Sequence, residues 1–489
     1  MSNEKSQSKY SRRNVVTSLI WKLLERGGNQ AIQLVIQIVL ARLLVPEDFG
    51  TIAIVMAFVH LATVFVQSGL NTALIQKKDA DRLDFSSVFF LSLFLALVLY
   101  IIIFFLAPFI ASFYSNQDLI IILRVLALML FPGAFNSIQN AYISKNMMFR
   151  KNFYSSLIAI LISGTIGIAL AYSGLGVWAL VVQQLLNQTV ITIVLWFTVK
   201  WRPIFKFSFE RIRILFAFGS RLLLSNIINT LYLEIRTLYI GRYYPPSSLG
   251  FYNRGELIPK VIVSNVDGSV QAVMLPTIAS IQDNIYRVKQ VVRRSITSSS
   301  YLIFPLMLGL AAVAEPLVIV LLTEKWLPAV PFLRIFCISF SLQPIHTTNL
   351  QAMNALGRSD LFLRLEIVKK IIGLSILIIS IPFGIYTIAI GQIIGSVISS
   401  FINAYPNKNL FQYSYFEQIR DILPAFFLAL VMSIVVFLMN SLPLAPLPLL
   451  TLQVITGIVI YVLLSKITKI ESFTYSLGTI KELLGNRNK

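Results

Sequence analysis

Apolar residues in this chain come in runs of about 20, separated by short polar segments, over almost its whole length. At 1.5 Å of rise per residue, each run is long enough to cross a hydrocarbon core of about 30 Å as a helix. The strict apolar/polar alternation of a membrane barrel is absent. Helices satisfy their own backbone hydrogen bonds inside lipid, so the expected fold is an all-α polytopic membrane bundle. The pattern predicts fourteen transmembrane helices, at 15–41, 49–75, 85–111, 119–144, 153–172, 177–199, 213–241, 249–279, 295–321, 328–355, 362–381, 384–404, 420–440 and 446–465.

Polar residues interrupt some of these runs at helical spacing. On the seventh span Arg221, Ser225, Asn229, Tyr232 and Arg236 step by four, four, three and four, which is one face of a helix. Asn253, Glu256, Lys260, Ser264, Asp267 and Gln271 do the same on the eighth, and Lys22, Arg26, Asn29, Gln33 and Gln37 on the first. His60, Val64, Gln67 and Asn71 make a weaker stripe on the second. Polar groups are costly in lipid and face a bundle interior or a water-filled cavity, so these four helices are expected to line one. Interhelical hydrogen bonding in a packed bundle would explain Asn, Gln and Ser, but long charged stripes less well.

Charge between the runs then orients the chain. The net charge is +20, with only 13% charged residues. Alternate connections carry the Lys and Arg, from Lys5, Lys9, Arg12 and Arg13 to Lys466, Lys469, Lys481, Arg487 and Lys489; the others carry Arg42, Arg242, Lys325 and little else. Positive loops stay inside, which places both termini in the cytoplasm and makes topology the reason for the surplus, so no nucleic-acid partner is expected. The start, "MSNEKSQSKYSRRN", is polar and basic, without a cleavage-like site. The tail from Phe473 carries Leu477, Ile480 and Leu484 on one helical face, which fits either a helix lying on the inner membrane surface or a polar, frayed end. Cys337, His60 and His346 are the whole stock of Cys and His, which excludes an intrachain disulfide, and no His/Cys metal site is expected. No cofactor is expected; a proton, sodium or the membrane potential remains open as the coupling agent.

The chain also echoes itself. "ARLLVPEDFG" at 41–50 is matched by "GRYYPPSSLG" at 241–250, and "LIQKKDADR" at 74–82 by "SIQDNIYR" at 280–287. "PGAFNSIQ" at 132–139 is matched by "PIHTTNLQ" at 344–351, and "GVWALVVQQ" at 176–184 by "GIYTIAIGQ" at 384–392. The order is kept, so two six-helix repeats are expected, parallel because six is even, with two further helices at the C-terminal end. The expected divisions are a cytoplasmic segment 1–14, an N-lobe 15–199, a linker 200–212, a C-lobe 213–404, a cytoplasmic loop 405–419, two helices within 420–465 and a cytoplasmic tail 466–489.

The candidate substrate-binding residues are Lys22, Arg26, Asn29, Gln33, Arg221, Asn229, Tyr232, Arg236, Arg254 and Lys260. Glu25, Glu234, Glu256 and Asp267 are candidates for ion coupling or charge pairing: Glu256 with Lys260, Glu25 with Arg26 or Arg221, Asp267 with Lys260 or Arg26. Lys22 and Arg221 near one end, and Arg236 and Arg254 near the other, have the alternative of snorkelling to the interface. A surplus of Arg suits phosphate and carboxylate oxygens, so an anionic substrate is expected.

The two halves of six helices with two added, together with "LLVPEDFGTIA", "LGFYNRGELIP" and the run Pro276–Asp283, resemble the polysaccharide-transport (Wzx-type flippase) branch of the multidrug/oligosaccharidyl-lipid/polysaccharide superfamily. That resemblance implies a V-shaped pair of lobes around a central cavity. It implies transfer of an undecaprenyl-diphosphate-linked oligosaccharide (an O-antigen, capsule, exopolysaccharide or teichuronic-type unit) across the bacterial inner membrane by alternating access. It also implies cavity cations comparable to Arg26, Arg254 and Lys260, a groove for the lipid tail at the last two helices, and a polysaccharide polymerase and chain-length machinery as partners. A drug/cation antiporter of the same fold is the alternative, against which the basic surplus argues. A membrane polymerase or glycosyltransferase is a third, against which the short outer loops argue.

Overall fold

The computed structural model describes residues 12–67 and 69–474, with side chains from residue 27 onward except at 218. Lys22, Glu25 and Arg26 keep only their place on a helix, and the amphipathic tail beyond residue 474 lies outside the described residues. Every regular element is helical, and no strand occurs among the described residues. The chain is a multi-pass membrane protein. Among the described residues, eleven helices are long and apolar enough to cross a membrane, and a twelfth is gained if Phe209–Tyr243, bent by 58° around residue 218, counts as one span. The expected spans at 15–41 and 362–381 form helices outside that set, for a visible reason. Polar stripe residues lower the hydropathy of the first, and Arg364, Glu366, Lys369 and Lys370 charge the second.

Contacts divide the chain into two compact units, Met1–Gly250 and Phe251–Lys489. The first holds α1 (Arg12–Leu43), α2 (Pro46–Gln67), α3 (Leu70–Gln76), α4 (Arg82–Phe113), α5 (Asp118–Ala127), α6 (Leu130–Lys145), α7 (Phe149–Tyr172), α8 (Val177–Thr198) and α9 (Phe209–Tyr243). α7 packs along α8 and α1, while α9 packs along α2 and α3. The seventh span, expected in the C-lobe, therefore belongs by its contacts to the first unit. Ile212 and Leu215 at its start join a core with Leu70, Leu74, Phe85, Phe89, Ile138 and Trp201.

Two glycine-mediated approaches hold α9 and the turn after it against α2. Gly69, at φ +66°, breaks the second span between α2 and α3, and a Cβ there would lie 2.1 Å from the Gly219 carbonyl oxygen. Only glycine takes this conformation without strain and admits that backbone. At the far end of the same helices the two echoed turns meet. A Cβ on Gly50 would lie 1.7 Å from the Pro246 carbonyl oxygen, and one on Gly250 2.2 Å from that of Pro46.

The expected linker, 200–212, is stitched down along its length. Ile204 and Ser208 donate their backbone N–H to the Ser86 and Ser87 hydroxyls, both at 3.0 Å, and the Trp201 ring is buried. Arg211 then reaches Asp81 at 2.7 Å and the wholly buried Asp84 at 3.2 Å, while Lys77 donates to both Asp84 oxygens at 2.7 and 2.8 Å. Asp81 and Asp84 also form the capping box that starts α4. Loss of water opposes the charge on Asp81, but the Asp84 backbone N–H and Arg211 outweigh it and hold its carboxyl below the ordinary value.

α10 (Pro246–Ala279) begins in the last residues of the first unit and runs into the second. The second unit continues with α11 (Ile285–Ala312), α12 (Ala314–Leu322), α13 (Val330–Phe340), α14 (Gln343–Ala355), α15 (Ser359–Ser380), α16 (Ile385–Ala404), α17 (Asn407–Phe411), α18 (Tyr415–Leu438) and α19 (Pro446–Ile467). α18 lies along α11, and α19 against α18 and α12, so the two C-terminal helices are built into this unit.

A chain of buried amides ties α14, α17 and α18 together. Asn407 donates to Asn349 at 2.6 Å, Asn349 to Gln418 at 2.8 Å, and Gln418 to the Tyr413 carbonyl at 3.3 Å. Asn349→Leu removes one partner from each buried neighbour, an expected loss of about 1–3 kcal/mol. A melt of the purified variant in detergent checks this, with Thr451→Ala, on an exposed helix face, as the comparison. Equal melting temperatures for the two would count against the amide chain as a stabilising device.

Candidate functional site

The polar stripe of the seventh span survives folding as a free surface. At 100° per residue, Arg221, Ser225, Asn229, Tyr232 and Arg236 share an arc of about 80°. Arg221, Ser225 and Asn229 are exposed, and Tyr232 and Arg236 are half-buried, with the Arg236 guanidinium 5.4 Å from the Tyr232 ring centre. The opposite face of α9 makes the packing. Gly219 meets Gly69, and Gly241 lies so close to Ile54 that a Cβ would come within 2.6 Å of it. Small residues on one side bring the helix against α2 and leave the stripe on the other.

Glu234 sits on the packing face, roughly 140° or more from the stripe at the same angular step. Its carboxylate meets the His60 Nδ1 at 2.9 Å, with His60 51% and Glu234 19% exposed. Asn71 of the broken second span bonds to the Ser137 hydroxyl on α6 and to the Gln67 carbonyl. His60 and Asn71 of the second-span stripe are therefore engaged in bonds between helices, with His60 still half open.

On α10, Asn253, Glu256, Lys260, Ser264, Asp267 and Gln271 again share an arc of about 80°. Lys260 and Glu256 pair at 2.9 Å, as their spacing of four suggests, with Lys260 62% exposed. Asp267 is buried at 9%. Arg254 lies about 100° away from Asn253 and off the stripe. It is only 7% exposed, with its guanidinium 5.8 Å from the Trp326 ring centre. The neighbouring Gly255 explains this placement, because a Cβ there would lie 2.6 Å from Phe332 and the helix is pressed into the second unit at this level. Arg254, expected among the open cations, is held in packing in this structure.

On α1, Asn29 is 7% exposed, and neither of its amide atoms has a hydrogen-bond partner among the described residues. Gln33 is half-buried. Lys22, Glu25 and Arg26 fall outside the described side chains.

The stripes thus differ in charge. Among the described residues, the acids Glu234 and Glu256 are engaged, and no ion pair involves Arg221 or Arg236. Two guanidinium groups and a neutral row of Ser, Asn and Tyr on one exposed arc suit an anion carrying many hydroxyl groups. Among the described residues no group of three or more His, Cys, Asp or Glu could hold a metal. Sequence reasoning ended the α9 stripe at Arg236, yet Tyr239 and Tyr243 continue it by three and four. Their rings lie side by side, tilted by 32°, with centres 4.6 Å apart. The same spacing rule could have found them.

Comparison with known proteins adds a family and a fold. The family described as polysaccharide biosynthesis protein matches residues 39–331. The succinoglycan biosynthesis transport protein ExoT of Rhizobium meliloti is 25% identical over 71% of this chain and 70% of that protein. The teichuronic acid biosynthesis protein TuaB of Bacillus subtilis is 25% identical over 77% and 78%. The lipopolysaccharide biosynthesis protein WzxC of Escherichia coli is 23% identical over 88% and 86%. A structure of the lipid II flippase MurJ in an inward closed conformation has a TM-score of 0.76 at 14% identity, covering 92% of this chain and 98% of its own; this likeness is one of fold.

Proposed function

This chain belongs to the family of polysaccharide biosynthesis proteins, and from that premise we propose that it flips a polyprenyl-diphosphate-linked oligosaccharide from the inner to the outer leaflet of the bacterial cytoplasmic membrane. The observation that carries this reading is the exposed arc of α9, where Arg221 and Arg236 flank Ser225, Asn229 and Tyr232. Fifteen residues, about 22 Å of helix, separate the two guanidinium groups, so each would hold the diphosphate in turn as it crosses, by paired charge-assisted hydrogen bonds, and the amide and hydroxyl groups between them would hold the sugar. Lys22, Arg26 and the neutral Gln33 on α1, and Lys260 on α10, would be further substrate-binding residues. Glu25 and Asp267 would balance charge or carry a coupling ion. The polyprenyl chain would stay in lipid, and α18 and α19 would offer it an apolar path. Fourteen spans, both termini inside, and rocking of two six-helix repeats belong to the same proposal, as does hand-over to a polysaccharide polymerase.

The test is reconstitution. Vesicles carrying the purified protein and lipid-linked oligosaccharide extracted from the host are probed with a glycan-oxidising reagent that cannot cross the membrane. Inner-leaflet glycan is expected to become reactive only when the protein is present. Arg221→Gln and Arg236→Gln are each expected to slow this at least about tenfold, equivalent to roughly 1.4 kcal/mol, with unchanged melting temperature. Full rates in both variants, or export of a cationic dye in place of the glycan, would overturn the reading.

A further inference from the structure

Tyr232, Tyr239 and Tyr243 lie on the arc that also carries Arg221 and Arg236. Counting from Arg221 at 100° per residue, the three fall at about 20°, 0° and 40°. From Tyr232 to Tyr243 the helix rises about 16 Å. Along that length each ring has an aromatic or cationic neighbour. Arg236 lies 5.4 Å from the Tyr232 ring centre, the Tyr239 and Tyr243 rings lie 4.6 Å apart and tilted by 32°, and Arg242 lies 5.8 Å from Tyr243 and 4.8 Å from Phe113. Tyr243 nevertheless remains 65% exposed.

We infer that this tyrosine-bearing end of α9 is the surface on which sugar rings of the transported glycan stack, while Arg236, within the same stretch, holds its diphosphate. The inference rests on the flippase reading and adds to it a place for the saccharide. An aromatic ring carries negative charge on its face and positive charge at its edge. One face of a pyranose presents a row of C–H groups, which that negative face attracts. The phenol hydroxyl can both donate to and accept from sugar hydroxyls. A lipid tail would gain nothing from the hydroxyls, and a free inorganic anion nothing from the rings. Tyrosines serving only as interface anchors gather at headgroup level around a helix. Here they follow one face and reach about 16 Å from Tyr243 down to Tyr232.

Binding to the full-length protein in lipid nanodiscs tests this. The probes are bare undecaprenyl diphosphate and the same lipid carrying one sugar, galactose in one preparation and N-acetylglucosamine in another. At least one sugar is expected to tighten wild-type binding fivefold or more. Tyr239→Ala and Tyr243→Ala are expected to abolish that gain and to leave the bare lipid within twofold of wild type. Tyr243→Phe, which keeps the ring, is expected to retain most of the gain. Melting temperatures show that each variant is folded, and the exposed Tyr243 carries the test if Tyr239→Ala is unstable. A sugar gain that persists in the folded alanine variants overturns the inference. So does a wild-type protein that binds the bare lipid and gains nothing from either sugar, which leaves the flippase reading standing. A wild-type protein that binds none of the probes overturns both.

Discussion

Gly50→Ala is expected to yield almost no stably folded protein. The added methyl would lie 1.7 Å from the Pro246 carbonyl oxygen, 2.5 Å from its carbonyl carbon and 3.0 Å from its Cα. These are backbone atoms, which cannot turn aside as a side-chain end can. Relief would need α2 to part from the turn that leads into α10. Overpacking against movable side chains costs about 1–3 kcal/mol. Against fixed backbone the cost belongs with the exceptional substitutions, above about 4 kcal/mol. Gly250→Ala meets Pro46 in the same way at 2.2 Å and is expected to follow closely. Gly133→Ala is the control, since its methyl would make ordinary contact 3.5 Å from the Gln67 amide nitrogen. Detergent-extracted yield and melting temperature decide the matter. A Gly50→Ala protein that melts with the wild type would mean that the two turns do not meet as described.

Asp84→Ala is expected to lower the melting temperature by about 6 °C or more. Asp84 is wholly buried and accepts from Lys77 twice, from Arg211, and from the Asp81 backbone N–H. Removing one partner of a buried ion pair typically costs about 3–5 kcal/mol, because the other charge is left without compensation. Lys77 and Arg211 are about one third exposed and can recruit water, so the lower end applies. For a unit of this size 3 kcal/mol corresponds to roughly 6–12 °C. Arg358→Ala is the contrast, because its pair with Asp360 is exposed on both sides and such pairs contribute about 0–1 kcal/mol. If both variants melt alike, the Asp84 cluster is not the clamp that fastens the linker to α4.

Legibility in the sequence followed the physics of each feature. The α9 stripe was readable because a helix repeats every 3.6 residues and a polar face in lipid stands out against apolar neighbours. The same rule suggested a stripe on the second span, where the structure instead directs Asn71 into Ser137 and His60 onto Glu234. Periodicity reports that a face is polar, and it does not report whether that face meets water or another helix. Arg254 was misplaced for a related reason. It stands one residue from the stripe in sequence but about 100° away in space, against Trp326. Nothing in the sequence singles out Asp84, because burial of a short polar segment depends on which helices close over it.

Sequence alone determined that this is an all-helical, multi-pass membrane protein of the polysaccharide-transport kind, because long apolar runs admit one backbone solution in lipid and the turn motifs mark the family. It also determined which residues of α9 share a face, since that follows from helix geometry and no neighbour can alter it. Only the tertiary structure decided which polar faces are left open and which are consumed in packing. That choice rests on where helices approach closely, and close approach is set by contacts such as Gly50 with Pro246, Gly69 with Gly219 and Gly241 with Ile54. A glycine in the sequence permits such a contact; the partner, 150 to 196 residues away, creates it.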